Sequence, residues 1–213
     1  MNIILFDHEA RTDLLPLTFT RPVCELRTGI LTIREKWEKR FNISISFLTE
    51  AYLSIKYPMQ KSDDNLLING GLLPDEKIFE AVANLEKNTI LKSGNTLLAA
   101  RVEEVPENIS AASFKTEKEI SFAGDTNIVE SVWQIFVWNG SELKKDFALL
   151  TKNRSSASLS NTNRLLSPEN IFVEKGAKAE FATINASSGP VFISKNAEIM
   201  ENSAIRGPFF LGE

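Results

Sequence analysis

The sequence predicts an α/β fold, a mostly parallel sheet with flanking helices, followed by the first coils of a hexapeptide-repeat parallel β-helix. Short apolar runs alternate with amphipathic stretches through the first part of the chain, which is the pattern of strands covered by helices. Near the C-terminus Ile193, Ile199, Ile205 and Leu211 recur six residues apart, a period that suits neither a helix nor a hairpin but fits a triangular solenoid. Between the two patterns, Asn153 to Asn163 is rich in Ser and Asn, as linkers are. The expected organisation is therefore an α/β domain over residues 1–152, a linker over 153–170 and a truncated β-helix start over 171–213.

The first element, Asn2 to Phe6, is a compact apolar run that stops at Asp7, His8 and Glu9, so it reads as a buried strand in mid-sheet. Ile30, Leu31, Ile33, Trp37 and Phe41 follow at mostly helical spacings, which predicts a helix over about Arg27 to Arg40. The alternation over Ile43 to Phe47 predicts a second strand, Glu50 to Lys56 a short helix, and Asn65 to Asn69 a third strand ended by Gly70 and Gly71. Strand, helix, strand, helix, strand implies a parallel sheet with helices on both faces and ligands at the carboxyl ends of the strands. The loops after Phe6 and Asn69 are thus the candidate binding loops. Asp75 to Leu85 predicts a further helix, and Thr89 to Lys92 with Thr96 to Val102 a hairpin around Ser93, Gly94 and Asn95. Residues 103–125 show little periodicity. Val129 to Trp138 and Ser141 to Leu150 read as a helix pair or a helix broken at Asn139 and Gly140, with Val132, Trp133, Ile135, Phe136 and Trp138 facing inward.

In the C-terminal part, Ala197 and Ser203 fall four residues after Ile193 and Ile199, the small corner residues of such coils. Val173, Ala177 and Ala179 begin the same repeat before a break at Asn185 to Pro190. A coil buries its aliphatic residues only against the next coil, so an array stopping at Glu213 leaves an open end, to be covered by another chain or by continuation of the protein.

Composition narrows the function. The chain has 213 residues, 43% of them hydrophobic and 24% charged, enough for a packed core, and a net charge of -4, which disfavours a nucleic-acid polymer as partner. The single cysteine, Cys24, cannot form an internal disulfide and reads as a packed residue in a reducing compartment. With one cysteine and one histidine, His8, a structural zinc site is close to excluded. The apolar start of Ile3 to Phe6 is too short for a signal peptide or a membrane span, so no membrane partner is expected and a cytoplasmic location is the default.

The segment ILFDHEARTDLLPLTFTRPVCELRT, from Ile4 to Thr28, resembles the signature loop of the sugar-1-phosphate nucleotidylyltransferases, LAAGxGTRLxPLTxxxPK, with Arg11, Thr12, Pro16, Leu17, Thr18 and Pro22 in correspondence. Pro16 to Glu38, PLTFTRPVCELRTGILTIREKWE, is similar to a divergent branch of probable sugar nucleotidyltransferases, and the domain order resembles that of the N-acetylglucosamine-1-phosphate uridylyltransferase type with its left-handed β-helix. The resemblance implies a nucleotidyltransferase-like, Rossmann-like first domain that takes a nucleoside triphosphate and a sugar 1-phosphate, with Mg²⁺, to a nucleotide sugar and pyrophosphate. A triphosphate needs cations and N–H groups, so Arg11 and Arg21 are the candidate catalytic residues. Phe6, Asp7, Thr12, Thr18, Asn69 and Gly70 are the candidate nucleotide- or substrate-binding residues. Three departures stand beside this. Asp7 to Ala10 replace the family's two glycines, Val23 replaces its lysine, and Asn69 to Gly71 replace the Gly-Asp pair whose carboxylate holds magnesium, leaving the metal ligand unassigned. They motivate the alternative of a catalytically degenerate ligand-binding or assembly domain of a β-helix acyltransferase. Relatives carry acyl transfer on β-helices that assemble as homotrimers, with a histidine base. No histidine follows His8, so that activity is not expected from these coils.

Overall fold

The computed structural model describes residues 1–106, 113–114 and 118–213. Of the weakly periodic stretch 103–125, residues 107–112 and 115–117 lie outside the described residues. The chain forms two compact units: one of Met1–Arg27 with Leu31–Ile135, the other of Thr28–Ile30 with Phe136–Glu213.

In the first unit, β1 (Asn2–Phe6), β2 (Ser46–Leu48), β3 (Asn65–Asn69), β4 (Thr89–Ser93), β5 (Thr96–Val102) and β6 (Lys118–Ser121) form one sheet in the order β2-β1-β3-β5-β4-β6. The contacts of β1 with β2 and β3 and of β4 with β6 are parallel; those of β5 with β3 and β4 are antiparallel. The sheet is therefore mixed but mostly parallel, the hairpin lying where Gly94 takes a positive φ of 57°. Ile3, Ile4 and Leu5 are fully buried, as expected of a strand with a neighbour on each side.

The first helix, α1 (Ile33–Phe41), starts later than the spacing from Arg27 suggests. Thr32 and Glu35 form a capping box, the Thr32 hydroxyl accepting from the Glu35 N–H while the Glu35 carboxylate accepts from the Thr32 N–H, which fixes the start. The second, α2 (Glu76–Ala83), is capped by Asp75. Trp37 of α1 stacks on Phe41, which meets Phe79 of α2 edge-on, and Trp37 Nε1 donates to the carbonyl of Leu72 at 2.9 Å. Among the described residues, α1 and α2 are the α-helices that lie wholly within the first unit. Ile4, Phe6, Leu67 and Ile90 share a cluster with Phe114, Met59 and Val105, and among the described residues no helix contributes to it. The helix expected over Glu50 to Lys56 shortens to a 3-10 turn, Ala51–Leu53.

The expected helix break at Asn139 and Gly140 does not occur. One helix, α3 (Val132–Thr151), runs through both residues. The cost of Asn-Gly in a helix interior, roughly 1 kcal/mol, is offset because Asn139 Oδ1 accepts from the Gly29 N–H at 2.8 Å and Asp146 Oδ2 accepts from the Ile30 N–H at 2.9 Å. Gly29 has φ +86°, and a Cβ there would lie 2.6 Å from Asp146, so the close approach requires glycine. The expected inward stripe is also corrected. Val132, Trp133 and Phe136 are exposed and Ile135 and Trp138 only half-buried, whereas Glu142, Leu143 and Asp146 are buried, because the buried side is the one that binds the Gly29–Ile30 backbone.

The second unit continues with β7 (Arg164–Leu166), β8 (Ile171–Val173), β9 (Lys178–Ala179), β10 (Thr183–Asn185), β11 (Val191–Ile193), β12 (Glu198–Ile199), β13 (Ala204–Arg206) and β14 (Phe209–Leu211). They form three parallel ladders, β7-β10-β13, β8-β11-β14 and β9-β12. Val173 lies opposite Ile193, which lies opposite Leu211. The four aliphatic residues with a six-residue period meet in one core: Ile193 and Ile199 are buried in it, and Ile205 and Leu211 pack against it. Among the described residues, no helix is long and apolar enough to cross a membrane.

Candidate functional site

The first unit carries a cleft of about 630 Å³ at the carboxyl ends of β1 and β3. Its floor is Phe6 and Asn69, the last residues of those strands. One wall comes from the 3-10 turn after β1 (Glu9–Leu14), through Glu9, Ala10 and Asp13; the others come from the hairpin residues Asn95 to Leu97 and from Glu130 and Ser131. The two strand ends are tied together: the Gly70 N–H donates to the Phe6 carbonyl at 2.8 Å. A Cβ on Gly70 would meet that carbonyl at 2.9 Å, so this seam requires glycine.

Asn69 is buried and aims its amide within the protein, Nδ2 donating to the Leu97 carbonyl at 3.1 Å and Oδ1 accepting from the Gly71 N–H at 2.9 Å. It fixes the floor of the cleft to the hairpin. His8 stands beside it. Its Nδ1 accepts from the Ala10 N–H at 3.2 Å and its Nε2 lies 3.1 Å from the Val129 carbonyl. Burial lowers its pKa, while the Glu130, Asp7 and Glu9 carboxylates and the Val129 carbonyl oppose that shift. The neutral ring with its proton on Nε2 satisfies both contacts.

The loop that follows is organised around Arg11, whose side chain is almost fully buried. Its guanidinium donates to Asp7 Oδ2 at 3.1 Å, to the Thr18 carbonyl at 2.6 Å and to the Tyr52 hydroxyl at 2.8 Å. The Thr18 hydroxyl returns a bond to the Arg11 carbonyl at 2.9 Å, and the Tyr52 hydroxyl donates to the Phe19 carbonyl at 2.9 Å. Asp7 also accepts from the Val23 N–H at 2.7 Å and from the Thr49 hydroxyl at 2.5 Å. Burial raises the Asp7 pKa, and the bonds from Thr49 and Val23 and the charge of Arg11 pull it the other way. The buried Cys24 thiol is pushed up by the same desolvation and stays a thiol.

The structure thus divides the candidate residues. Phe6 and Asn69 line the cleft and Gly70 closes its floor. Asp7, Arg11 and Thr18 form the buried latch of the loop. Thr12 is exposed and its hydroxyl faces the Glu9 carbonyl. Arg21 is exposed, with no ion-pair partner among the described residues. The described lining contains Glu9, Asp13 and Glu130 and neither Lys nor Arg. Apart from Phe6 and Asn69, none of the lining residues, His8, Asn95, Thr96 and Ser131 among them, is one that sequence reasoning singled out as a binding residue. The hairpin tip and the segment near Ser131 are far from the signature loop in the chain, and only sheet pairing and the Leu72–Ile128 bridge bring them there.

No three His, Cys, Asp or Glu residues among the described residues come together as a metal-binding group. Mg²⁺ commonly takes one or two carboxylates and completes its shell with water and substrate phosphates.

A family model described as "Sugar nucleotidyl transferase" matches residues 3–155. No curated protein matches the chain.

Proposed function

The chain belongs to the sugar nucleotidyl transferase family, and from that premise we propose that residues 1–152 join a nucleoside triphosphate to a sugar 1-phosphate in the cleft above Phe6 and Asn69. In this reaction a phosphate oxygen of the sugar phosphate attacks the α-phosphorus. The new P–O bond forms as the bond to the β-phosphate breaks, and pyrophosphate leaves. The observation that supports it is the position of the cleft at the carboxyl ends of two adjacent parallel strands, where α/β sheets bind their ligands. In this reading Asn69 and Gly70 set the floor, the hairpin residues Asn95 and Thr96 offer hydrogen bonds, and Arg21 is the exposed cation available to phosphate. Arg11, Asp7 and Thr18 shape the loop. Mg²⁺ would neutralise charge on the triphosphate when bound with it, and no protein ligand is assigned to it. Pyrophosphate release, assayed for each common nucleoside triphosphate with each common sugar 1-phosphate, tests the proposal; absence of turnover with every pair would sink it.

A second reading is favoured by one observation: the described lining has three carboxylates and no cation. A ligand-binding or assembly domain without catalysis would tolerate that. Calorimetry with each common nucleoside triphosphate, read beside the pyrophosphate assay, separates the two, because a catalyst both binds and turns over its nucleotide, whereas a ligand-binding or assembly domain releases no pyrophosphate even where binding heat is seen.

We also propose that the ladders of the second unit are opening turns of a left-handed β-helix. The six-residue aliphatic period and the purely parallel pairing support this. By the same resemblance we propose that the protein assembles as a homotrimer in the cytoplasm; light scattering would measure the assembly, and a monomer would overturn it.

A further inference from the structure

Two walls of the cleft are joined by a single side chain. The 3-10 turn after β1 contributes Glu9, Ala10 and Asp13, and the segment after Val129 contributes Glu130 and Ser131. The His8 ring spans them, with Nδ1 as acceptor for the Ala10 N–H on one side and Nε2 against the Val129 carbonyl on the other. The ring is also confined. A Cβ on Gly71 would lie 2.5 Å from its Nε2 and 2.9 Å from the Val129 carbonyl, so there is little room for it to turn.

We propose that His8 is a positioning residue that holds the two walls together only in its neutral Nε2–H form, and that protonation of its Nδ1 frees the wall bearing Glu9, Ala10 and Asp13. The reason is donor count. A carbonyl can accept only from Nε2–H, and an amide N–H can donate only to a bare Nδ1. Imidazolium carries hydrogen on both nitrogens, so it keeps the Val129 contact and turns the Ala10 contact into two donors facing each other. The charged groups around the ring are Glu130 beyond Val129 and Asp7 and Glu9 on its own loop, and all three favour the charged form; burial opposes it and keeps the ring neutral at neutral pH. As regulation of ligand binding, the proposal rests on the cleft being the binding site.

The test uses no nucleotide, so its outcome is separate from that of the proposed reaction. In protein labelled with ¹⁵N, the His8 ring is titrated from pH 8 to 4.5 while the amides of Ala10, Asp13 and Ser131 are followed. The expected result is an Nε2–H tautomer at pH 8, a titration of these amides with the same midpoint as the ring, and a drop of about fivefold to tenfold in exchange protection at Ala10 once the ring is charged. In His8→Gln, the pH-dependent step at Ala10 should vanish. If the ring titrates while Ala10 stays unchanged, if it shows the Nδ1–H tautomer, or if it stays neutral throughout, the proposal is overturned. The wild-type titration decides the matter even where the variant does not fold.

Discussion

The loop from Asp7 to Pro22 and the ladders from Arg164 to Leu211 keep their shapes by opposite means. In the loop a few polar groups carry everything: Arg11 alone reaches Asp7, Thr18 and Tyr52, and Asp7 in turn reaches Val23 and Thr49. In the ladders the same contact recurs. Ile184 and Ile193 are fully buried among aliphatic neighbours, while backbone bonds between successive strands fix the register. Phe172, Phe192 and Phe210 repeat in the same way as a column of rings. A repeated apolar contact spreads stability over equivalent positions, and its register survives the loss of one side chain. A polar hub concentrates shape in one side chain, and its removal leaves several partners unsatisfied.

The comparison can be broken first in the ladders. Ile184→Ala should lower unfolding free energy by about 4 kcal/mol, through lost burial and the cavity left behind, as measured by urea denaturation. It should leave the circular dichroism of the folded state unchanged, because the ladder bonds remain. Arg11→Ala should cost about 3 kcal/mol by leaving a buried carboxylate without its cation, and here the local structure should change too, seen as new amide shifts at Thr18 and Thr49. Arg11→Lys should recover only part of that loss, since an ammonium cannot present the guanidinium fork to three acceptors. Gly70→Ala should cost about 2 kcal/mol by forcing a methyl against the Phe6 carbonyl, with the shift changes confined to the ends of β1 and β3.

The smallest effect concerns pH. The His8 pKa is lowered in the fold by burial, so the unfolded chain binds the proton more readily. The stability that neutral His8 contributes is complete above the unfolded value, 6.5, and is lost as pH falls from there through the folded pKa. Urea midpoints for the wild type should decline over that window by more than those for His8→Gln. Equal declines would show that the ring carries none of this dependence.

Much of the fold follows from local pattern. Apolar run length identifies β1 and β3, and Thr32 and Glu35 spell a capping box that marks where α1 begins, although apolar spacing alone places that start too early. The six-residue period picks out Ile193, Ile199, Ile205 and Leu211 as partners in one core. Helix α3 shows where local pattern misleads. Asn139 and Gly140 signal a break and Trp133 and Phe136 signal an inward face, yet the buried side holds Glu142 and Asp146 because the Gly29–Ile30 backbone needs acceptors there. Of the site, the sequence marks the strand ends Phe6 and Asn69 and the signature loop.

What the sequence by itself determined is thus β1, β3, the β4–β5 hairpin, the six-residue repeat and the family resemblance, since each depends on residues near one another in the chain. Tertiary structure alone decided which side chains meet. It turned Arg11 inward as a hub, brought Asn95 and Ser131 to the cleft, and set His8 between Ala10 and Val129. Hydrogen-bond partners separated by many residues leave no periodic trace in a sequence, because a donor and its acceptor find each other through the sheet and not through spacing along the chain.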